Sequence, residues 1–289
     1  MSNLKETKRR IGSVKNTQKI TRAMKLVSAA KYSRANQAVL RARPYGEAFD
    51  LMVQKLAAAC GKENEAPLLK ERKNTKSLVI IVSSDRGLCG GLNSNVFKKS
   101  SAFIDGLKKQ GAEVELVLWG RRAVMFGSKA NARVLHKEEK ILEKPSFDFA
   151  KKSALEFSKA FVEEKYDKVY LIYSKFVNAM TQEPTVTQLL PVHVPNDTDV
   201  NSADAQDFIF EPEKLQLLDS LLSKQLASKI YRVFLEGSAS EHAARMSAMD
   251  SATNNADEVI RRLTLEYNRA RQAAITTELI EITSGAEAL

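Results

Sequence analysis

The last quarter of the chain most constrains the fold, because it lacks strong helix breakers over a long stretch. Residues 213–289 contain no proline and only two glycines, Gly237 and Gly285. Apolar and small residues recur there in alternating steps of three and four, at Met246, Met249, Thr253, Ala256, Ile260, Leu263, Tyr267, Ala270, Ala274 and Thr277. This period of 3.5 residues predicts one helix of a left-handed coiled coil. About 70 helical residues would span roughly 105 Å, so we expect this helix to extend beyond an ordinary globular domain.

The first 43 residues carry a weaker form of the same pattern. They contain Gly12 and no proline, and their periodic positions are Leu4, Ile11, Val14, Thr21, Ser28, Tyr32, Ala35, Val39 and Ala42. Gln18 and Lys25 interrupt the apolar series. Pro44 is expected to kink or end the helix, with helix again at 48–59. We predict that the two terminal helices pair antiparallel; the alternative is that both are amphipathic helices buried against the middle of the chain.

Between these helices the pattern is typical of an α/β domain. A continuous apolar run at 78–84 predicts a buried parallel strand. Further strands are expected at 113–119, 168–176 and 185–192, with helices near 95–110 and 147–165. Strands that alternate with helices predict a doubly wound, Rossmann-like sheet. The predicted segments are a helix at 1–60, a linker at 61–76, the α/β domain at 77–193, a loop at 194–210 and a helix at 211–289.

A glycine-rich turn at 84–93 follows the first strand, where α/β folds often bind phosphate. It has neither the G-x-x-x-x-G-K-[ST] pattern nor G-x-G-x-x-G. We therefore expect a structural turn at Asp85, Arg86, Gly87, Cys89 and Gly90, although nucleotide binding stays open as an alternative. Cys89 has no histidine near it in sequence, which favours a packed thiol over a nucleophile.

Composition excludes several classes of protein. Two cysteines cannot form a disulfide framework, and three scattered histidines give no zinc spacing, so metal catalysis through His and Cys ligands is not expected. This argument leaves carboxylate-bound magnesium open, but we expect no cofactor and no metal site. No apolar stretch is long enough to cross a membrane. The net charge is +10, and the excess lies in residues 1–43, where twelve Lys and Arg accompany a single acid, Glu6. Such an asymmetry indicates an acidic partner: nucleic acid, an anionic membrane or an acidic protein surface.

Several motifs in the chain resemble the gamma subunits of F-type ATP synthases. The segment ITTELIEITSGA at 275–286 is similar to the C-terminal signature of that family, and NTQKITRAM at 16–24 to its first helix. SDRGLCG at 84–90 resembles its central motif, and the matches at 43–45 and 244–246 occur in the same order. The resemblance covers essentially the whole chain.

The resemblance implies a rotary shaft with no active site of its own. In that family the terminal helices form an antiparallel coiled coil inside a ring of three alpha and three beta subunits. The α/β domain lies below it, with the epsilon subunit, on the membrane c-ring, and any contact with the delta subunit is indirect. Rotation drives the catalytic beta subunits through successive conformations and so couples proton or other ion transport to ATP synthesis or hydrolysis. A bacterial member would be peripheral, on the cytoplasmic face of the plasma membrane, without direct membrane insertion.

The resemblance also assigns site residues. Met24 falls where the first helix meets acidic beta-subunit levers. The polar positions that contact catalytic subunits or affect coupling match Arg245, Gln272, Thr276 and Glu278. The foot on the rotor ring matches Phe208, Phe210 and Glu211. Read without the resemblance, each polar residue would be a solvated face of the coiled coil.

Two other functions compete with this prediction. A basic coiled coil could bind nucleic acid through its first helix, although only Tyr32 supplies an aromatic residue before Tyr45. An enzyme could instead use the α/β domain to bind a nucleotide. The cysteine pair of light-regulated chloroplast members has no counterpart between Val192 and the last helix, so that thiol switch is not expected.

Overall fold

The structure is a computed structural model that describes residues 2–60, 66–128, 130, 132–193 and 214–287. The chain divides into two compact units. The first comprises Met1–Ala29 with Arg245–Leu289, and the second comprises Ala30–Ala244. Among the described helices, none combines the length and apolar character needed to cross a membrane.

The chain contains five α-helices and five strands in the described residues, together with a short 3-10 turn at Pro67–Leu69. In chain order these are α1 Ser2–Cys60, β1 Lys76–Val82, α2 Leu92–Lys109, β2 Glu113–Trp119, α3 Arg121–Gly127, β3 Arg133–Glu138, α4 Phe147–Val162, β4 Lys168–Phe176, β5 Gln182–Leu190 and α5 Lys214–Glu287. The fold is therefore mixed α/β, with long helices at both ends and a largely parallel sheet between them.

The two terminal helices are long and continuous. α5 has 74 residues, which corresponds to roughly 110 Å. α1 has 59 residues and continues through Pro44, so the helix does not end at that position. The reason is local: Pro44 is exposed, and α1 is held on either side of it by Val39 and Phe49, which are 1% and 9% exposed. One lost hydrogen bond does not end a helix that is anchored on both sides.

The sheet of the second unit has the order β3-β2-β1-β4-β5. The first four strands are parallel, with β1 paired to both β2 and β4, and β5 pairs antiparallel to β4. β3 and α3 had no sequence signal, since β3 is an edge strand whose side chains are exposed or half-buried. Strands β2 and β3 are added on one side of β1, and β4 and β5 on the other. The carboxyl end of β1 therefore lies at the switch point of a doubly wound sheet.

Each face of the sheet has its own core. One face packs α2 and α3 through Val96, Ile104 and Ala123. The other face packs α4 together with parts of both long helices, including Val53 of α1 and Leu222 and Phe234 of α5. The single tryptophan, Trp119, lies in this second core, and its ring centroid is 5.2 Å from that of Phe234. The sheet domain therefore shares one hydrophobic core with the portions of α1 and α5 that belong to its own unit.

Candidate functional site

The first unit is an antiparallel pair of helices, as three side-chain contacts show. Thr21 and Thr253 join their hydroxyls at 2.8 Å, and Lys25 Nζ donates to Asp250 Oδ1 at 2.6 Å. Gln18 donates to the carboxylate of Asp257. As the α1 number falls from 25 to 18, the α5 number rises from 250 to 257, so the helices run in opposite directions.

The interruptions of the heptad pattern are explained by these contacts. Gln18 and Lys25 sit at seam positions of α1, where the sequence pattern expected apolar residues. Each meets an aspartate of α5 that lies just beside the seam of that helix. The buried seam positions are small or polar, with Thr21 8%, Ser28 3% and Ala256 7% exposed. A thin polar seam of this kind specifies register more than it adds stability.

α5 continues past the end of its partner. In the register set by Thr21 and Thr253, Ser2 at the start of α1 falls opposite about Gln272. The remaining helix up to Glu287 adds about 22 Å with no described residue of α1 opposite it. Its large apolar side chains are exposed: Ile275 47%, Leu279 60%, Ile280 58% and Ile282 69%. The chain therefore leaves an apolar helix end uncovered, which we call the free end of α5 (residues 273–287).

The threonines of this free end are bonded within their own helix. Thr276 donates its hydroxyl to the carbonyl of Gln272 at 2.9 Å, and Thr277 donates to Ala273 at 3.0 Å. Thr283 donates in the same way to Leu279. Their hydroxyl protons are already used, so these residues present mainly methyl groups to a neighbouring surface.

The structure separates the residues predicted to contact partners. Gln272, Thr276 and Glu278 are exposed and lie at or beyond the last paired turn of α5. Arg245 is only 6% exposed and lies 27 residues earlier in the helix, roughly 40 Å away. Thr276 and Glu278 therefore lie on the free end and Gln272 lies directly before it, whereas Arg245 is buried. The predicted foot residues Phe208, Phe210 and Glu211 lie outside the described residues.

Met24 belongs to an exposed apolar stripe that lies outside the heptad pattern of α1. It is half-buried, and Ile20 and Val27, four residues before it and three after it, are 60% and 57% exposed. Spacings of four and three place all three side chains on one face of α1, beside the seam. The signal was present in the sequence as a second apolar period, offset from the first.

The glycine-rich turn is filled by contacts within the chain. Asp85 Oδ1 accepts hydrogen bonds from the backbone N–H groups of Arg121 and Lys140, each at 2.9 Å. Arg86 pairs with Glu143 at 3.2 Å. These amides stand at the carboxyl edge of the sheet, where a phosphate would need donors, and a carboxylate of the protein already occupies them.

Two further turn residues, Cys89 and Gly90, are described by an internal contact and by backbone conformation. Cys89 is 2% exposed, and its sulfur accepts from Asn93 Nδ2 at 3.2 Å. Gly90 has φ of +58°, a conformation that favours glycine, and the exposed Leu88 adopts φ of +61°. Within the described part of the chain, no group of three or more His, Cys, Asp or Glu residues is arranged to hold a metal ion.

Comparisons with known proteins cover the whole chain. The family model described as ATP synthase matches residues 3–289. The ATP synthase gamma chain of Geobacter metallireducens is 46% identical over 290 residues, covering 100% of this chain and 99% of the relative. The ATP synthase gamma chain of Pelotomaculum thermopropionicum is 42% identical over 289 residues and is covered at 100% in both directions.

Solved structures show the same architecture. A chain from the central stalk and c-ring structure of the Tetrahymena thermophila mitochondrial ATP synthase aligns with a TM-score of 0.61 at 25% identity, over 81% of this chain and 99% of that one. A chain of the Euglena gracilis mitochondrial ATP synthase aligns with a TM-score of 0.70 at 17% identity, over 99% of this chain and 94% of that one. The second likeness concerns the fold alone.

Proposed function

Because this chain belongs to the family of ATP synthase gamma chains, we propose that it is the central rotor shaft of an F-type ATP synthase. It turns inside the ring of alpha and beta subunits and couples ion flow across the membrane to ATP synthesis or hydrolysis. The geometrical observation that carries this role is the free end of α5, an apolar helix end that the described chain leaves uncovered. A surrounding ring of subunits supplies that cover.

The chain acts as a subunit of the complex and has no catalytic residue in this proposal. Its contribution is mechanical, because contacts that differ in strength between rotary positions shift the conformations of the catalytic beta subunits. Three alpha and three beta subunits surround one copy. The family membership favours the shaft over both alternative functions, the nucleic-acid-binding coiled coil and the nucleotide-dependent enzyme.

Two surfaces of the shaft make these contacts. The stripe of Ile20, Met24 and Val27 meets the beta-subunit levers, and the basic residues of α1 attract their acidic side chains. Gln272, directly before the free end, and Thr276 and Glu278 on it contact the catalytic subunits from inside the ring. The exposure of both surfaces supports these assignments. Arg245 is assigned to coupling through the residues that bury it.

The α/β domain and the segment that follows it in sequence join the shaft to the membrane part of the complex. The α/β domain binds the epsilon subunit, and residues Phe208, Phe210 and Glu211 rest on the c-ring. The delta subunit is reached only indirectly. In a bacterium this places the chain on the cytoplasmic face of the plasma membrane, attached through its partners.

The primary test measures ATP turnover by purified alpha and beta subunits with and without this chain. We expect the chain to co-purify at one copy per three beta subunits and to raise turnover. A chain that neither joins matched subunits nor changes turnover would contradict the proposal.

A substitution then tests the stripe on α1. Met24→Lys adds a charge that can bind the acidic levers in some rotary positions, so we expect ATP hydrolysis to continue while ion pumping falls. Leu26→Lys is the matched control: Leu26 is 65% exposed, but two residues turn it roughly 200° round the helix from Met24. Equal loss of coupling in both variants would contradict a specific contact at Met24.

A further inference from the structure

A groove in the second unit is bounded by three helices. It has a volume of about 500 Å³. Its lining consists of Tyr45 from α1, of Phe147, Lys151 and Leu155 from α4, and of Ser220, Ser223, Lys224, Ala227 and Ser228 from α5. The α4 residues are spaced by four, and the α5 residues by three or four, so each helix gives one face to the groove. Each face runs over nine residues of its helix, 147–155 in α4 and 220–228 in α5, a rise of roughly 12 Å.

The groove exposes large apolar side chains that the rest of the chain leaves uncovered. Tyr45 is 62%, Phe147 46% and Leu155 54% exposed. Each of the two aromatic rings nevertheless packs against another aromatic ring of the same unit. Tyr45 lies 5.6 Å from the ring of Phe49, and Phe147 lies 5.6 Å from Tyr231 at 89°. These ring contacts restrict the two aromatic side chains, which lowers the entropic cost of binding a partner.

The polar groups of the groove are unmatched donors. Among the described residues, neither Lys151 nor Lys224 has a hydrogen bond or an ion pair, and the hydroxyls of the three lining serines likewise find no partner. Lys159, farther along α4, instead pairs with Glu163 at 3.8 Å. A surface of two free ammonium groups around apolar side chains is complementary to a segment with carboxylates and an apolar face.

The shape of the groove favours a helix over an extended strand. A strand binds by adding to a row of free backbone donors and acceptors, and the backbone groups of α4 and α5 are already used inside these helices. Side chains in rows along two helices instead accept the ridge of a third helix. The length of roughly 12 Å matches slightly more than two helical turns.

We propose that this groove docks an acidic amphipathic helix of another protein subunit in the same assembly. About two turns of that helix place apolar side chains against Tyr45, Phe147 and Leu155. Its carboxylates pair with Lys151 and Lys224. The proposal deepens the proposed function, because it requires that the chain works inside a complex.

The test uses photo-crosslinking in the assembled complex. Benzoylphenylalanine is placed at Leu155 and, as the matched control, at Leu135, an exposed leucine on β3 that is 42% exposed. We expect position 155 to cross-link to one helical peptide of another subunit that carries at least two acidic residues, and position 135 not to capture that peptide. No inter-subunit product at position 155, or a peptide without acidic residues, would overturn the proposal.

Charge reversal provides a second readout. Lys151→Glu with Lys224→Glu should weaken retention of the captured subunit by about tenfold or more and abolish the cross-link. Lys152→Glu is the control, since Lys152 is exposed on α4 but does not line the groove. Equal retention in the double variant and the control contradicts the charge pairing.

The two proposals can fail separately. A chain that assembles with alpha and beta subunits and raises turnover, yet gives no product at position 155, overturns the groove alone. A chain that does not assemble at all contradicts the shaft and the groove together.

Discussion

The same two helices are held together in different ways in the two units. In the sheet unit, Val53 of α1 and Leu222 and Phe234 of α5 are 0–1% exposed and share a core with the sheet. In the first unit the seam consists mainly of small and polar side chains, and Met249 and Ala256 are its only apolar residues below 9% exposure among those described. The sheet unit is therefore stabilised by buried apolar area. In the coiled coil, polar pairs at fixed positions along the two helices set the register between them.

This difference suits a shaft. A helix pair that depends on a wide apolar face would be thick and would need covering. Threonine, serine and alanine let the two helices approach closely and leave their outer faces to partners. The four predictions that follow test whether stability and specificity really divide between the units in this way.

The largest effect is expected in the sheet unit. Phe234→Ala removes a side chain with no exposed surface next to Trp119, and should lower the free energy of unfolding by about 3–5 kcal/mol. Fluorescence of Trp119, the single tryptophan, follows this unit during urea unfolding. A change below about 1 kcal/mol would show that the core around Phe234 does not dominate.

A smaller, pH-dependent effect is expected at Glu236. Desolvation raises the pKa of this carboxyl, against the opposing influence of Arg232, Arg43 and Lys175. The native state thus binds its proton more tightly than the unfolded state does. The protonated Glu236 carboxyl contributes fully to stability below the pKa that it has in the unfolded chain. This contribution is lost as the pH rises through its raised pKa in the native state. Glu236→Gln should flatten the pH dependence of urea unfolding across that window; an unchanged slope would contradict this origin.

Truncation in the coiled coil should cost less and should be felt locally. Leu263→Ala shortens a half-buried seam residue, so we expect about 1 kcal/mol or less. Far-UV circular dichroism, which follows all helices, should register the change, while the Trp119 transition stays where it is. A matching shift in both signals would mean that the two units unfold as one.

The smallest effect is expected at the Lys25–Asp250 pair. Both side chains are about half exposed, at 40% and 46%, so a double-mutant cycle with Lys25→Ala and Asp250→Ala should give about 0.2–1 kcal/mol of coupling. The coupling should fall as salt is added. A value above about 2 kcal/mol would make this pair a main source of stability and would reverse the comparison.

Much of this architecture was predictable because it depends on periodicity. The heptad seam, the limits of β2 at Glu113–Trp119 and those of β4 at Lys168–Phe176 follow from residue spacing and apolar runs. The role of Gln18 and Lys25 was not predictable from α1 alone, because their partners lie more than 220 residues away. The clue was a shared spacing of seven, between Gln18 and Lys25 and between Asp250 and Asp257.

Other features depended on tertiary context. β3 has no buried face that would leave an apolar alternation, and the antiparallel direction of β5 is set by its pairing with β4. The helix through Pro44 persists because packing on either side outweighs one missing hydrogen bond. Among the predicted contact residues, burial separated Arg245 from Gln272, Thr276 and Glu278, which sequence alone treated as one set.

The internal hydrogen bonds of Thr276, Thr277 and Thr283 have a consequence for friction. Two surfaces that slide past each other resist motion where directional bonds must break and form again. Hydroxyls that already donate to their own helix contribute little to such resistance, so these three threonines add little angular dependence to the energy of the free end. Among the described side chains of the free end, the carboxylates of Glu278 and Glu281 are the charged groups, and their interactions depend strongly on that angle.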